Sequence, residues 1–91
     1  MMKTHELKTW PKYFEDVKTG KKTFEVRNND RGFELNDTLM LQEYNPVLGQ
    51  YSGRELGCVV TYVLDAPEFV KEGHVIMGIC INEFHHRTVK N

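Results

Sequence analysis

Cysteine is scarce in this 91-residue chain: there are two, Cys58 and Cys80, and they do not form a CxxC pair. Disulfide-stapled secreted domains and zinc modules need more thiols at closer spacing, so both classes are excluded. The longest apolar run, at residues 75–81, is far shorter than the roughly 20 residues that cross a bilayer. The opening MMKTHELK lacks the apolar stretch of a secretion signal, so we expect a cytoplasmic protein.

Neither sign of charge dominates, because 12 Lys and Arg residues face 13 Asp and Glu residues, for a net charge of −1. This balance excludes a domain that holds nucleic acid through an overall basic surface. The first 31 residues are different, since eight basic and five acidic side chains give them a net charge of +3. The charge pattern therefore allows a local cationic surface, and equally an ordinary mixed, solvated one.

Repeats, low-complexity tracts and flexible linkers are absent from the sequence. We therefore expect a single domain over residues 1–91, with its core at about 5–84 and a polar tail at 85–91.

Apolar periodicity predicts one helix and five strands. Trp10, Phe14 and Val17 recur at i, i+4 and i+7, which is typical of a buried helical stripe, so core packing is expected for Trp10. Thr9 suits the N-cap of this helix, and Gly20 suits its left-handed C-cap. The strands are predicted at residues 5–8, 23–28, 38–44, 55–64 and 75–84, with a long hairpin loop at 45–53 and a connection at 65–73.

The later strands are apolar on both faces, and no regular helices separate them. A parallel sheet needs such helices, so the pattern predicts a mainly β, α+β fold. We expect a curled antiparallel sheet or a small antiparallel barrel with the helix packed across it, and closure into a barrel would remove exposed sheet edges.

The segment GKKTFEVR, residues 20–27, concentrates charge where the helix ends and a strand begins. Glu25 and Arg27 share one strand face, with side chains about 7 Å apart. The guanidinium of Arg27 suits phosphate, and Glu25 can accept a hydrogen bond from a base or act as a general base. Lys22 falls on the opposite face and joins them only if the chain bends at residues 20–22. The alternative is a solvated, half-exposed strand.

This segment resembles the GxKxxExR motif of the ASCH domain, a branch of the PUA-like fold, through Gly20, Lys22, Glu25 and Arg27. The resemblance covers most of the chain, and the stretch HELKTWPKYFEDVKTGKKTFEVRNNDR looks like a small bacterial and phage branch. It implies a β-barrel-like fold whose motif lines a cleft beside the helix. It also implies that the cleft binds RNA or a nucleotide, with no cofactor.

Two other functions stay open. Similar proteins include amidohydrolases that act on acylated cytidines, and ribonucleases, so an enzyme with Glu25 and Lys22 as catalytic residues is the second hypothesis. Glu68 and Glu72 are positional candidates for a further acid. The third hypothesis is a structural or interaction protein in which the Glu25–Arg27 pair ties the helix to the barrel.

Further ligand contacts are predicted outside the motif. His5 and Lys8 lie on the first strand, and Arg31 lies in the loop after the motif. Trp10 is a candidate for stacking on a base, which contributes about 1–3 kcal/mol. The remaining histidines lack a matching ligand set, so no metal site is predicted. Both cysteines are expected in core strands, where a buried thiol is inert.

Overall fold

The predicted element order, β-α-β-β-β-β, is confirmed in a computed structural model that describes residues 2–87. The elements are β1 (Thr4–Thr9), α1 (Pro11–Lys18), β2 (Phe24–Asn28), β3 (Thr38–Asn45), β4 (Gln50–Leu64) and β5 (His74–His86). The long loop predicted at 45–53 is wrong, because β4 already begins at Gln50 after a tight turn. Of the predicted tail, His85 and His86 belong to β5, and residues 88–91 lie outside the described residues.

The five strands form one sheet in the order β1-β3-β4-β5-β2. Three of the four neighbouring pairs are antiparallel, but β1 pairs with β3 in parallel, with Thr4 opposite Thr38. The prediction of a wholly antiparallel sheet is therefore wrong. Residues 10–37, which contain α1 and β2, connect β1 to β3, and a connection of a dozen or more residues is long enough for parallel pairing.

The sheet curls into a half-barrel, and register shifts in the β3–β4 and β4–β5 pairs help to bend it. Its outer strands are β1 and β2, and within residues 2–87 no backbone ladder joins them. Two arginine side chains cross this gap instead. Arg27 Nη2 donates to the backbone oxygen of Lys8 at 2.9 Å, and Arg31 Nη1 donates to that of Glu6 at 2.8 Å. We call this gap the β1–β2 seam.

The core fills the concave side of the sheet, against one face of α1. Phe14 and Val17 of the helix are buried among apolar side chains of β1, β3, β4 and β5. Core packing of Trp10 is wrong, since its side chain is 56% exposed. Trp10 precedes α1 with an extended backbone (φ −62°, ψ 148°), so it does not follow the helical stripe. Thr9 ends β1, and the N-cap role predicted for it is also wrong.

Two polar clusters tie the elements together. Buried Asp37 accepts hydrogen bonds from His5 Nε2 at 2.9 Å and from the backbone N–H groups of Lys3 and Glu34. Arg54 forms the second cluster with the carboxylates of Glu43 and Glu15, and its guanidinium lies 4.9 Å from the ring centroid of Phe14. These contacts fix β1 to the start of β3, and α1 to the sheet.

The cysteines differ in environment. Cys58 is fully buried, and burial raises the pKa of its thiol to about 12, so the prediction of an inert core thiol holds there. Cys80 is exposed, and its expected place in the core is wrong. Among the described residues, no helix combines the length and apolarity needed to cross a membrane.

Candidate functional site

The bend at residues 20–22, on which the placement of Lys22 depends, is present where α1 ends. The N–H of Gly20 donates to Val17 O at 3.1 Å, and Gly20 has a φ of +83°, which a residue without Cβ adopts at low cost. The N–H of Lys22 then donates to Asp16 O at 2.9 Å. The chain thus folds back against the last turn of the helix. Lys22 precedes β2, which starts at Phe24, so the direction of its side chain is not set by the alternation of that strand.

This bend brings the three charged motif residues together. Glu25 Oε1 accepts a hydrogen bond from Lys22 Nζ at 2.8 Å, and Glu25 Oε2 accepts one from Arg27 Nε at 3.0 Å. The Glu25 side chain is only 4% exposed, whereas those of Lys22 and Arg27 are 17% and 25% exposed. One buried carboxylate therefore organises two cations that both reach the surface, and the group keeps a net positive charge.

Both cations keep donors for an additional acceptor. Arg27 Nη2 donates to Lys8 O and, at 3.4 Å, to Thr9 Oγ1, but Nη1 has no acceptor among residues 2–87. No buried side-chain nitrogen in this part of the chain lacks a partner, so Nη1 is open to solvent. The Lys22 ammonium has three N–H donors, and its contacts with Glu25 and with Phe24 O use two of them.

A cavity of about 460 Å³ opens between the start of α1, the end of β1 and β2. The cationic residues in its lining are Lys8, Lys22 and Arg27, and the aromatic ones are Trp10, Tyr13 and Phe24. Thr9, Glu25 and Val26 complete the lining. This volume falls within the range of small-molecule sites, about 300–1,000 Å³.

The aromatic wall of this cavity is exposed to solvent. Trp10 and Tyr13 stack with ring centroids 6.4 Å apart, and Phe24 lies across the ammonium of Lys22, whose Nζ is 5.0 Å from its ring centroid. Trp10, Tyr13 and Phe24 are 56%, 43% and 45% exposed. An exposed apolar patch of this kind, next to cations, marks a surface suited to a flat, negatively charged ligand.

Comparison with known proteins places the chain in a family. The model of the family described as domain of unknown function, DUF3850, matches residues 4–79, which include every residue that lines the cavity. The chain belongs to this family. It is also 39% identical, over 90 residues, to an uncharacterized 12.9 kDa protein in the GpA 3′ region of Escherichia phage P2. That alignment covers 99% of this chain and 80% of the phage protein.

Five of the seven predicted ligand-binding residues come together at the cavity of this DUF3850 domain: Lys22, Glu25, Arg27, Lys8 and Trp10. Trp10 was a candidate for stacking on a base, although its place on the helical stripe favoured core packing. The placement of His5 in the cleft is wrong, because its side chain points inward from β1, is 7% exposed and bonds Asp37. His5 lies near the start of β1 on its inward face, whereas Lys8 faces outward at the end of the strand that borders the cavity.

Arg31 and the glutamates lie elsewhere. Arg31 does not line this cavity but lines a neighbouring one that shares Lys8 and Arg27. Glu68 and Glu72 are exposed in the connection before β5, outside both cavities. No group of three or more metal-ligating side chains occurs within residues 2–87.

Tyr13 and Phe24 are the site residues that sequence reasoning missed. The signal for Tyr13 was its i+3 spacing from Trp10. For Phe24 the signal was its alternation with Glu25 and Val26 along β2. In the structure, Phe24 and Val26 are about half exposed, while Glu25 is buried. The usual assignment of apolar residues to the core face is reversed in this strand.

Proposed function

We propose that this domain binds RNA or a nucleotide in the cavity beside the motif, as a PUA-like module of the ASCH type. The observation that carries the proposal is the pairing of three exposed aromatic rings with three cations around one cavity, with a single buried carboxylate among them. Aromatic rings stack on bases, and Lys and Arg side chains bind phosphate.

Each motif residue has a distinct role in this proposal. Lys22 and Arg27 contact the phosphate through the donors that the protein leaves free, and Lys8 adds charge from β1. Glu25 is a positioning residue, because each of its oxygens already bonds one of the two cations. Gly20 makes the turn that brings Lys22 to the other two.

The same geometry disfavours catalysis by Glu25. A general base must reach a water molecule or the substrate, but this carboxylate is 4% exposed and held between two cations. A purely structural role accounts for the ion pairs. It does not account for the exposed rings of Trp10 and Phe24, nor for the open Nη1 of Arg27. Binding therefore explains more of the site than catalysis by Glu25 or a purely structural role does.

Titration with ribonucleotides and short oligoribonucleotides at low salt tests the proposal, with the fluorescence of Trp10, the only tryptophan, as the signal. We expect binding that weakens as salt rises. Lys22→Gln is expected to reduce affinity by about tenfold to a hundredfold, since a hydrogen bond to a charged group contributes about 1.5–3 kcal/mol. The neighbouring Lys21→Gln removes the same charge outside the cavity and is the matched control.

Lys8→Gln provides a second variant, because Lys8 lines the cavity without bonding Glu25. A circular dichroism melt checks that each variant is folded. Failure of every nucleotide and oligonucleotide to bind would rule out the proposal, as would equal losses in Lys21→Gln and Lys22→Gln.

A further inference from the structure

A second cavity lies directly beside the first, along the β1–β2 seam. Its volume is also about 460 Å³, and Lys8 and Arg27 line both cavities. The second cavity adds the cation Arg31 and the ring of Tyr51, which is 45% exposed. Lys8 and Arg27 thus form the boundary between the cavities, and the lining of each cavity includes an exposed aromatic ring.

From this arrangement, and resting on the proposed function, we infer that the ligand is a single RNA strand of at least two nucleotides that spans both cavities. One base lies against the rings of Trp10 and Phe24, and the next lies towards Tyr51. The phosphate between them is bound by Lys8 and Arg27. A free mononucleotide fills only the first cavity.

The charges along the seam support a chain of phosphates. Lys8 forms no salt bridge within residues 2–87, and its Nζ lies 4.5 Å from the ring centroid of Tyr44 and 6.0 Å from that of Tyr51. Arg31 bonds a backbone oxygen of Glu6 and, in the described part of the chain, has no carboxylate partner. Glu6 is the one acidic residue in the lining of the second cavity, beside three basic residues, so this lining is also net positive.

The aromatic rings favour an RNA strand over a ligand that is only acidic. Phosphate and carboxylate both bind arginine, but only a base gains from stacking on an exposed ring at each end. A single strand also presents its bases one at a time, so that each base can reach one cavity, whereas a duplex buries the faces of its bases.

Calorimetric titration with uridine 5′-monophosphate and with a three-nucleotide oligouridylate tests this inference at one fixed salt concentration. We expect the trinucleotide to bind at least about tenfold more tightly, since a second base gains affinity by stacking on an exposed ring. Its salt dependence is expected to be steeper, by about 0.7 in log–log slope for each added phosphate contact. A tetra-aspartate peptide provides charge without bases and is expected to bind far more weakly.

Variants of the second cavity give the decisive comparison. Arg31→Gln and Tyr51→Leu are each expected to weaken trinucleotide binding about tenfold and to leave mononucleotide binding within about twofold. Tyr51→Leu keeps the Arg31–Glu6 bond, so it separates ligand contact from damage to the seam. Lys71→Gln, exposed in the connection before β5 and outside both cavities, is the matched control for charge.

Equal affinity for the two uridylates, with no selective loss in these variants, would overturn the inference and leave the proposed function standing. Tetra-aspartate binding as tight as that of the trinucleotide would also overturn it. Absence of binding by both uridylates would count against this inference and against the proposed function together.

Discussion

Removing the charge of Glu25 without changing its shape should destabilise the fold substantially. In Glu25→Gln, a nearly isosteric amide replaces a carboxylate that is 4% exposed and bonded to Lys22 and Arg27. Bonds to a charged group contribute about 1.5–3 kcal/mol each. Because the two cations are 17% and 25% exposed and regain hydration, we expect a total loss of about 2–3 kcal/mol in the free energy of unfolding. For a domain of this size the melting temperature then falls by about 10–20 °C.

Urea unfolding followed by circular dichroism measures this loss. The control is Glu34→Gln, in which the removed carboxylate is 64% exposed and 3.8 Å from Lys3 Nζ, so a change below about 0.5 kcal/mol is expected. The folded Glu25→Gln variant should keep more nucleotide affinity than Lys22→Gln, because Glu25 positions the cations and does not touch the ligand. A Glu25→Gln protein as stable as Glu34→Gln would refute the reasoning.

Three further outcomes are expected. Burial alone would raise the pKa of Asp37, but hydrogen bonds from His5 and two backbone N–H groups lower it below its ordinary value of 3.8. The hydrogen bonds of the Asp37 carboxylate therefore stabilise the fold above pH 3.8, and this contribution is lost as the pH falls through the folded-state pKa. In urea titrations from pH 5 to 2, the free energy of unfolding should fall less steeply in Asp37→Asn than in wild type. Equal slopes would contradict this prediction. Gly20→Ala should lower the free energy of unfolding by about 1 kcal/mol, because an alanine backbone is strained at a φ of +83°. No atom lies within 4 Å of the added Cβ, so steric contacts do not add to this cost. An unchanged urea midpoint would contradict the prediction. Iodoacetamide should alkylate exposed Cys80 but not Cys58 in the native protein, and both after denaturation, as counted by mass spectrometry; native labelling of Cys58 would contradict its burial.

Local signals in the sequence located the joint between α1 and β2. Gly20 marked the end of the helix, and strand alternation showed that Lys22 could reach Glu25 only through a bend at residues 20–22. Both features depend on contacts between residues a few positions apart, such as Lys22 N–H to Asp16 O. Local backbone chemistry of this kind can be predicted from a single sequence.

Features that depend on distant residues were not predictable in the same way. The parallel pairing of β1 with β3 is set by the whole of residues 10–37, and no local pattern distinguishes it from antiparallel pairing. The Ser52-Gly53 pair suggested a loop, yet it lies within β4, where Ser52 Oγ donates to Glu43 and accepts from the N–H of Arg54. Glu43 of the neighbouring strand β3 thus accepts a hydrogen bond from Ser52, a residue whose sequence pattern suggested a turn.

The β1–β2 seam has a dynamic consequence. Two flexible arginine side chains can release and re-form their bonds individually, whereas a backbone ladder breaks cooperatively. The facing edges of β1 and β2 are therefore the part of the half-barrel that separates at the lowest energetic cost, and their amide protons should exchange with solvent earlier than those of β3 and β4. A polyanion bound along the seam would hold the two edges together and slow that exchange.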